Sequence, residues 1–239
     1  MLLSCGRVGF DPPGGVGDGA IDSLHDSAQV DARSVPPGPA VWLRMETDPN
    51  TTIVDSGGGH TVECNVGGCP GTAVGHDGQG YQFTANEVDV VAAADLDSSS
   101  GFTGAVWVRL SSTPASLACA WSKPFNLAMV YDTFTLCIDI DGKTVFDCET
   151  PAGAADSERG PAITPGTWHH LAMSWDGTTK HSYLDGVEVA TKAVQIGAAN
   201  MGLTLGGEGL AYFTPGILDD AVYYTRALTP AEIAQLATP

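Results

Sequence analysis

From Ala40 onward, apolar and β-branched residues come in short runs cut off at close intervals by Gly, Asp, Asn and Ser. Runs of roughly four to eight such residues between turn-formers read as strands rather than helices. The pattern predicts strands at Ala105–Leu110, Leu127–Tyr131, Phe134–Ile140, Leu171–Trp175, Ser182–Leu184, Val187–Val189 and Ile217–Tyr224. Asp176-Gly177 and Asp185-Gly186 supply the positive φ of tight hairpin turns, so their role is structural. Trp107, Trp168 and Trp175 stand among apolar strand residues and are expected to pack in or between sheets. The helix signal is terminal. Thr229 is placed as N-cap, Pro230 at the first helical position and Glu232 to close a capping box, with Ile233 and Leu236 as apolar anchors. The fold class is therefore all-β, a two-sheet antiparallel sandwich with one short C-terminal helix.

The first forty residues differ. From Asp11 to Pro39 the chain is rich in Gly, Pro, Asp and Ser with scattered Ile21, Leu24, Val30 and Val35. Such a stretch buries too little surface to offset its ordering entropy and reads as a tether, closed by the semi-rigid Val35-Pro36-Pro37-Gly38-Pro39. Met1-Leu2-Leu3-Ser4-Cys5-Gly6 resembles the end of a bacterial lipoprotein signal, in which Cys5 would be lipidated, yet it lacks the charged start and most of the apolar stretch of a working signal. An ordinary N-terminus with a stray or disulfide-bonded Cys5 is the alternative. The domain division is thus 1–40 and 41–239.

Composition narrows the function. At 239 residues the chain is long enough for one large sandwich, and no stretch approaches the ~20 apolar residues of a membrane helix. Acidic residues outnumber basic ones 28 to 10, and the net charge of -18 repels nucleic-acid phosphates and anionic lipid headgroups. A membrane is reached only through a lipid on Cys5. Six cysteines without zinc-type spacing point to disulfides and to an extracellular or cell-surface location. Cys64 and Cys69 bracket Asn65-Val66-Gly67-Gly68, a run able to reverse tightly, and are expected to pair. Cys137 and Cys148 flank a hairpin around Asp141-Gly142 and form the second expected pair, with Cys119 a competitor for either partner.

The segment Pro165-Gly166-Thr167-Trp168-His169-His170-Leu171-Ala172, then Trp175-Asp176-Gly177 and Tyr183-Leu184-Asp185-Gly186-Val187, resembles the centre of a laminin G-like jelly roll of the concanavalin A-like lectin and glucanase superfamily. Gly216-Ile217-Leu218-Asp219-Asp220, Tyr224 to Thr229 and Ala231-Glu232-Ile233 are similar to the closing strand and helix of those domains, so the resemblance spans about residues 41–237. It implies a jelly roll and two sets of functions. In the laminarinase-like hydrolases of that superfamily, paired carboxylates follow a Glu-x-Asp-x-(x)-Glu strand pattern. Here the nearest stretch is Cys137-Ile138-Asp139-Ile140-Asp141, with a cysteine at the nucleophile position, so the expectation is no enzyme activity. His169 and His170 point to opposite faces of a strand and cannot easily share one ion.

The resemblance also implies calcium near the chain ends. Asp219 is expected on the inward face with Ala221 and Tyr223, with Asp55 as its partner ligand; the alternative is that backbone amides cap Asp219 and that Asp55 is a turn residue. Fold analogy favours a carbohydrate-binding, lectin-like surface module for glycans, with Tyr131, Phe134, Tyr212 and Phe213 as loop-borne aromatics able to face a sugar ring. The alternative is a protein-interaction or adhesion module that binds a cell-surface protein; a glycoside hydrolase ranks below both.

Overall fold

The computed structural model describes residues 35–127, 129 and 131–238. The expectations for Cys5 and for the tether up to residue 34 lie outside those residues. In chain order the strands are β1 (Val41–Leu43), β2 (Val62–Cys64), β3 (Gly71–Val74), β4 (Gln79–Phe83), β5 (Val88–Val90), β6 (Phe102–Leu110), β7 (Ala118–Asn126) and β8 (Tyr131–Ile138). They continue with β9 (Lys143–Asp147), β10 (Glu158–Ala162), β11 (His169–Trp175), β12 (Thr179–Leu184), β13 (Val187–Ala193), β14 (Leu203–Leu205) and β15 (Gly216–Tyr224), and α1 (Pro230–Leu236) closes the chain. The first sheet runs β13-β12-β11-β6-β15-β4-β3 with β1 also on β15, and the second runs β10-β9-β8-β7-β14-β5-β2. Every pairing between them is antiparallel.

Between the sheets lies one apolar core that includes Phe83, Phe102, Trp121, Phe134, Leu136 and Tyr223. Trp121 crosses it, donating its indole N–H to the Val222 carbonyl of the opposite sheet at 3.2 Å. The outer face of the first sheet is not left bare. Ile233 and Leu236 of α1 cover Ala105, Ala172, Tyr183 and Val222, and Trp107 donates to the Leu236 carbonyl. The helix starts where the sequence places it, with the Thr229–Glu232 capping box formed and Pro230 in the first turn. Val35 packs on the same cluster and Tyr224 donates to the Pro36 carbonyl at 2.7 Å, so the end of the expected tether is part of the body.

Four expectations are corrected. Leu127–Tyr131 is not a strand; Leu127 and Met129 are exposed in the turn between β7 and β8. Phe134 is not loop-borne. It occupies an inward position of β8, fully buried against Phe102 and Tyr223 with ring centroids 5.3 and 6.1 Å away. Cys137 pairs with Cys119, not Cys148, because Cys119 and Cys137 stand opposite each other across β7 and β8. Cys148 lies beyond the matching register of β9, turns into the core as a free thiol, and burial pushes it up to about 12. Finally, a bulge between Asp219 and Val222, with Asp220 at φ 45°, breaks the alternation of β15. Leu218, Ala221 and Tyr223 face the core, while Asp219 pairs with Trp107 on the outer face. The Cys64–Cys69 disulfide forms as the sequence predicts.

Candidate functional site

On the outer face of the second sheet, inward Val88, Val90, Leu203, Leu205 and Trp121 leave their neighbours in the strands pointing outward. Asp89, Thr204 and Ser122 therefore line up across β5, β14 and β7, each opposite the next in register. Thr204 Oγ1 donates to Asp89 Oδ1 at 2.9 Å, and Asn65 Nδ2 donates to Asp89 Oδ2 at 2.6 Å. Asn65 is carried there by the Cys64–Cys69 loop, whose reversal uses Gly67 and Gly68 at φ 73° and 74°.

The opposite wall is the loop that joins β14 to β15. Gly206, Gly209, Leu210 and Tyr212 all have left-handed backbone (φ 88°, 58°, 71° and 50°), and for Leu210 and Tyr212 this conformation costs about 1 kcal/mol or more each. What holds Leu210 there is Glu87, whose Oε1 accepts its N–H at 3.0 Å; Tyr212 is held by its carbonyl, which accepts from Cys119 N at 2.7 Å. Glu87 is itself buried and lies against Gly207, where a Cβ would sit 2.4 Å from Glu87 Oε1 and would push that carboxylate aside. Together these elements enclose a cavity of about 360 Å³ with Asn65, Asp89, Ser122, Asp132, Thr204 and Glu208 among its lining. A second cavity of about 270 Å³ shares Asp89, Pro124, Leu127 and Thr204 with it, so the two form one elongated depression.

The floor is acidic. Asp132 reaches it through the irregular pairing of β7 and β8 at Pro124, and its carboxyl hydrogen-bonds to that of Glu208. Burial first, and the surrounding carboxylates next, push Asp132 upward; Glu208 rises through burial. Burial also raises Glu87 to about 6 and Glu149, beside Asp132, to about 7. The lining contains no lysine or arginine. The single Lys in that stretch of β7, Lys123, points the other way into the core, onto the Met201 carbonyl and 5.5 Å from the Tyr223 ring centroid.

The residues singled out in the sequence are distributed differently. Asp55 is buried and accepts from Trp42 N, Gly57 N and His60 N at 2.8, 2.8 and 3.0 Å, and it pairs with His60 Nδ1 at 2.7 Å. Asp219 accepts from His76 N, Asp77 N and Asp220 N at 2.7, 3.2 and 2.9 Å. Burial, then Asp220, raises Asp219 to about 8 against the pull of those amides. Asp55 bridges Leu43, which on its other side pairs with Ala221, so the Asp55 backbone lies two strand spacings, about 10 Å, from β15. The structure does not bring the two carboxylates together, and each is satisfied by its own donors. Among the described residues, one group of three potential metal-ligating atoms converges within 4.8 Å, Cys119, Cys137 and Glu208, and its sulfurs are joined in a disulfide.

Tyr131 is half-buried at the start of β8, 5.9 Å from Phe125. Tyr212 is exposed in the β14–β15 loop with Phe213 half-buried beside it. His170 is buried against Trp107, whereas His169 bonds Asp185 at 2.9 Å on the other face. Asp139 and Asp141 are both clamped by Arg159. Sequence reasoning missed Asp132, Glu208, Glu87 and Asp89; Asp132 and Asp89 leave the trace of a carboxylate inside a strand-like run, Glu87 stands just ahead of one, and Glu208 sits in a glycine-rich loop that gives no such signal.

A family model, Laminin_G_3, described as the concanavalin A-like lectin/glucanases superfamily, matches residues 84–234. No curated protein matches the chain significantly in sequence. Among solved structures, domain 4 of the extracellular arabinanase AbnA from Geobacillus stearothermophilus, in complex with arabinotriose, is similar at 23% identity and TM-score 0.66 over 84% of this chain and 98% of that one. The binding domain of Paraclostridial Mosquitocidal Protein 1 is similar at 17% identity and TM-score 0.61, and Trypanosoma rangeli sialidase at 15% and 0.65. These matches take in 84% and 85% of this chain but 52% and 33% of those proteins, so the chain spans about half of the one and a third of the other.

Proposed function

We propose, for a chain that belongs to the concanavalin A-like lectin/glucanases superfamily, that the domain is an extracellular, non-catalytic module that binds an oligosaccharide along the outer face of its second sheet. The observation that carries this reading is the pair of contiguous cavities at Asp89 and Thr204. Their lining offers hydroxyl, amide and carboxyl groups in a row, with exposed Leu127 and Leu210 at the margin. A saccharide presents hydroxyls to the first kind of group and C–H faces to the second, and a carboxylate can accept two hydroxyls at once. The elongated shape suits several rings rather than one.

Further support comes from what similar structures hold: arabinotriose in the arabinanase domain, and N-acetylneuraminic acid in the ligand-binding domain of botulinum neurotoxin serotype D, which is 11% identical. A non-catalytic role is supported by Cys137, locked in a disulfide, and by Asp139 and Asp141, held by Arg159. Two disulfides suit an oxidising compartment.

The test is a glycan-array and calorimetric comparison of the full chain with Thr204→Tyr, which fills the depression from an outward strand position. Loss of glycan binding with an unchanged melting temperature is expected. Binding that survives the substitution places the glycan elsewhere and refutes the site.

A further inference from the structure

Two acids meet on the floor of the depression, and they meet as partners. Asp132, 4% exposed near the start of β8, donates from its carboxyl to the carboxyl of Glu208, which lies in the loop between β14 and β15. Ionised carboxylates carry no donor, so this bond exists only while a proton lies between the two. Asp55, Asp219 and Asp156 are held differently, by backbone amides or lysines that already carry their hydrogens.

Nothing nearby replaces the shared proton. Glu208 Oε2 lies 3.2 Å from Cys119 Sγ, a disulfide sulfur with no hydrogen to give. Ser122 turns its hydroxyl to the Thr204 and Gly207 carbonyls, and the Asp132 N–H goes to Glu149 Oε2 at 2.6 Å. The charged groups that face the pair are Asp147 at the end of β9, Glu149 just beyond it, and Glu87 and Asp89 at β5; all are acids, and no lysine or arginine lines the cavity. A second negative charge at this point is opposed by burial and by every one of these neighbours.

The shared proton ties a loop to the sheet. Residues 206–215 carry Glu208 and form one wall of the depression. They are fastened to β7 where Cys119 N–H donates to the Tyr212 carbonyl at 2.7 Å, and Leu210 and Tyr212 keep left-handed backbone (φ 71° and 50°) that relaxes when the loop lets go. We infer that the Asp132–Glu208 contact is a proton-operated latch: with the proton in place the loop stays closed on the depression, and without it the two carboxylates push apart and the loop opens. That the latch governs saccharide binding, weakening it as pH rises, rests on the reading above. In an open, solvated loop the two acids titrate near about pH 4, so each pH unit above that costs the closed form about tenfold in population until the latched pair itself loses its proton.

The experiment is hydrogen–deuterium exchange of the full chain at pH 5.5 and pH 8.5, read as protection factors so that the intrinsic effect of pH on exchange cancels. The reporter is the Cys119 amide, whose acceptor is the loop's Tyr212 carbonyl. Its protection is expected to fall at least about tenfold at pH 8.5 in the wild type, and to change by less than about twofold in the double variant Asp132→Asn with Glu208→Gln, where an amide donates to an amide and there is no proton to lose. Asp132→Asn alone keeps an N–H on Glu208 and serves the same comparison if the double variant does not fold. Unchanged protection in the wild type overturns the latch. So does an equal fall in the variant, which assigns the effect to Glu87, Glu149 or the overall charge. The saccharide reading fails separately. If the Cys119 amide behaves as expected while the glycan array is empty, or while Thr204→Tyr leaves glycan binding intact, the latch stands and the saccharide site falls. A glycan whose binding Thr204→Tyr abolishes, but which binds equally at both pH values with protection unchanged, overturns the latch and keeps the site.

Discussion

Lys123 is a lysine enclosed in an apolar core, and replacing it with Met should make the protein more stable at neutral pH. Burial lowers its ammonium from 10.5 to about 7, against the pull of Asp97. At one pKa unit per 1.36 kcal/mol, holding it buried at pH 7 costs about 4 kcal/mol relative to a solvated lysine. Methionine keeps the length and removes that cost, but it also removes the bond to the Met201 carbonyl and the contact with the Tyr223 ring, worth together about 2 kcal/mol. The net gain is about 2 kcal/mol, or roughly 4–8 °C in Tm for a domain of this size. Between pH 7 and 10.5 the unfolded chain holds the proton and the folded one does not, so wild-type stability at this site rises with pH and the advantage of Lys123→Met shrinks to nothing at about pH 9 and is reversed at pH 10. Differential scanning calorimetry of both proteins at pH 7 and pH 10 reads this directly. A lower Tm for the variant at pH 7, or the same difference at both pH values, would refute the reasoning.

The carboxyls around the depression work in the opposite sense. Glu87 and Glu149 are raised to about 6 and 7, so the folded state holds protons that the unfolded state releases above pH 4.5; Tm is expected to fall by roughly 5 °C from pH 5 to pH 8, and by less in Asp132→Asn, in thermal melts across that range. Lys180 is 1% exposed between Asp156 and Glu158, and Lys180→Ala, which leaves both acids facing the core with only Lys192 nearby, should cost about 3 kcal/mol in urea unfolding. Because Asp55 and Asp219 are each met by backbone amides, melting in EGTA and in millimolar calcium should give the same Tm; a rise with calcium would return the two carboxylates to the role of ligands.

Much of the fold is legible because local rules act alone. The capping box at Thr229, the hairpin turn at Asp185-Gly186 and the short loop between Cys64 and Cys69 depend on neighbours within a few residues, and all three form as the sequence indicates. Where register decides, the sequence is silent. The bulge at Asp220 turns Asp219 outward, and the pairing of Cys119 with Cys137 depends on how β7 aligns with β8, which spacing along the chain does not encode. The depression is harder still. Asn65, Glu87, Asp132 and Glu208 come from four separate segments, and what unites them is the order of strands in the second sheet. Phe134 shows the converse error: an aromatic flanked by threonines resembles a surface platform until its strand is seen to face the core.

The measurement that bears most directly on the central claim is a two-dimensional amide NMR titration of the full chain with the tightest-binding oligosaccharide from the array. Shifts concentrated at Asn65, Asp89, Ser122, Thr204, Glu208 and Leu210 are expected. Shifts confined to the Asp55–His60 loop or to the far sheet would contradict the assignment of the depression as the binding site.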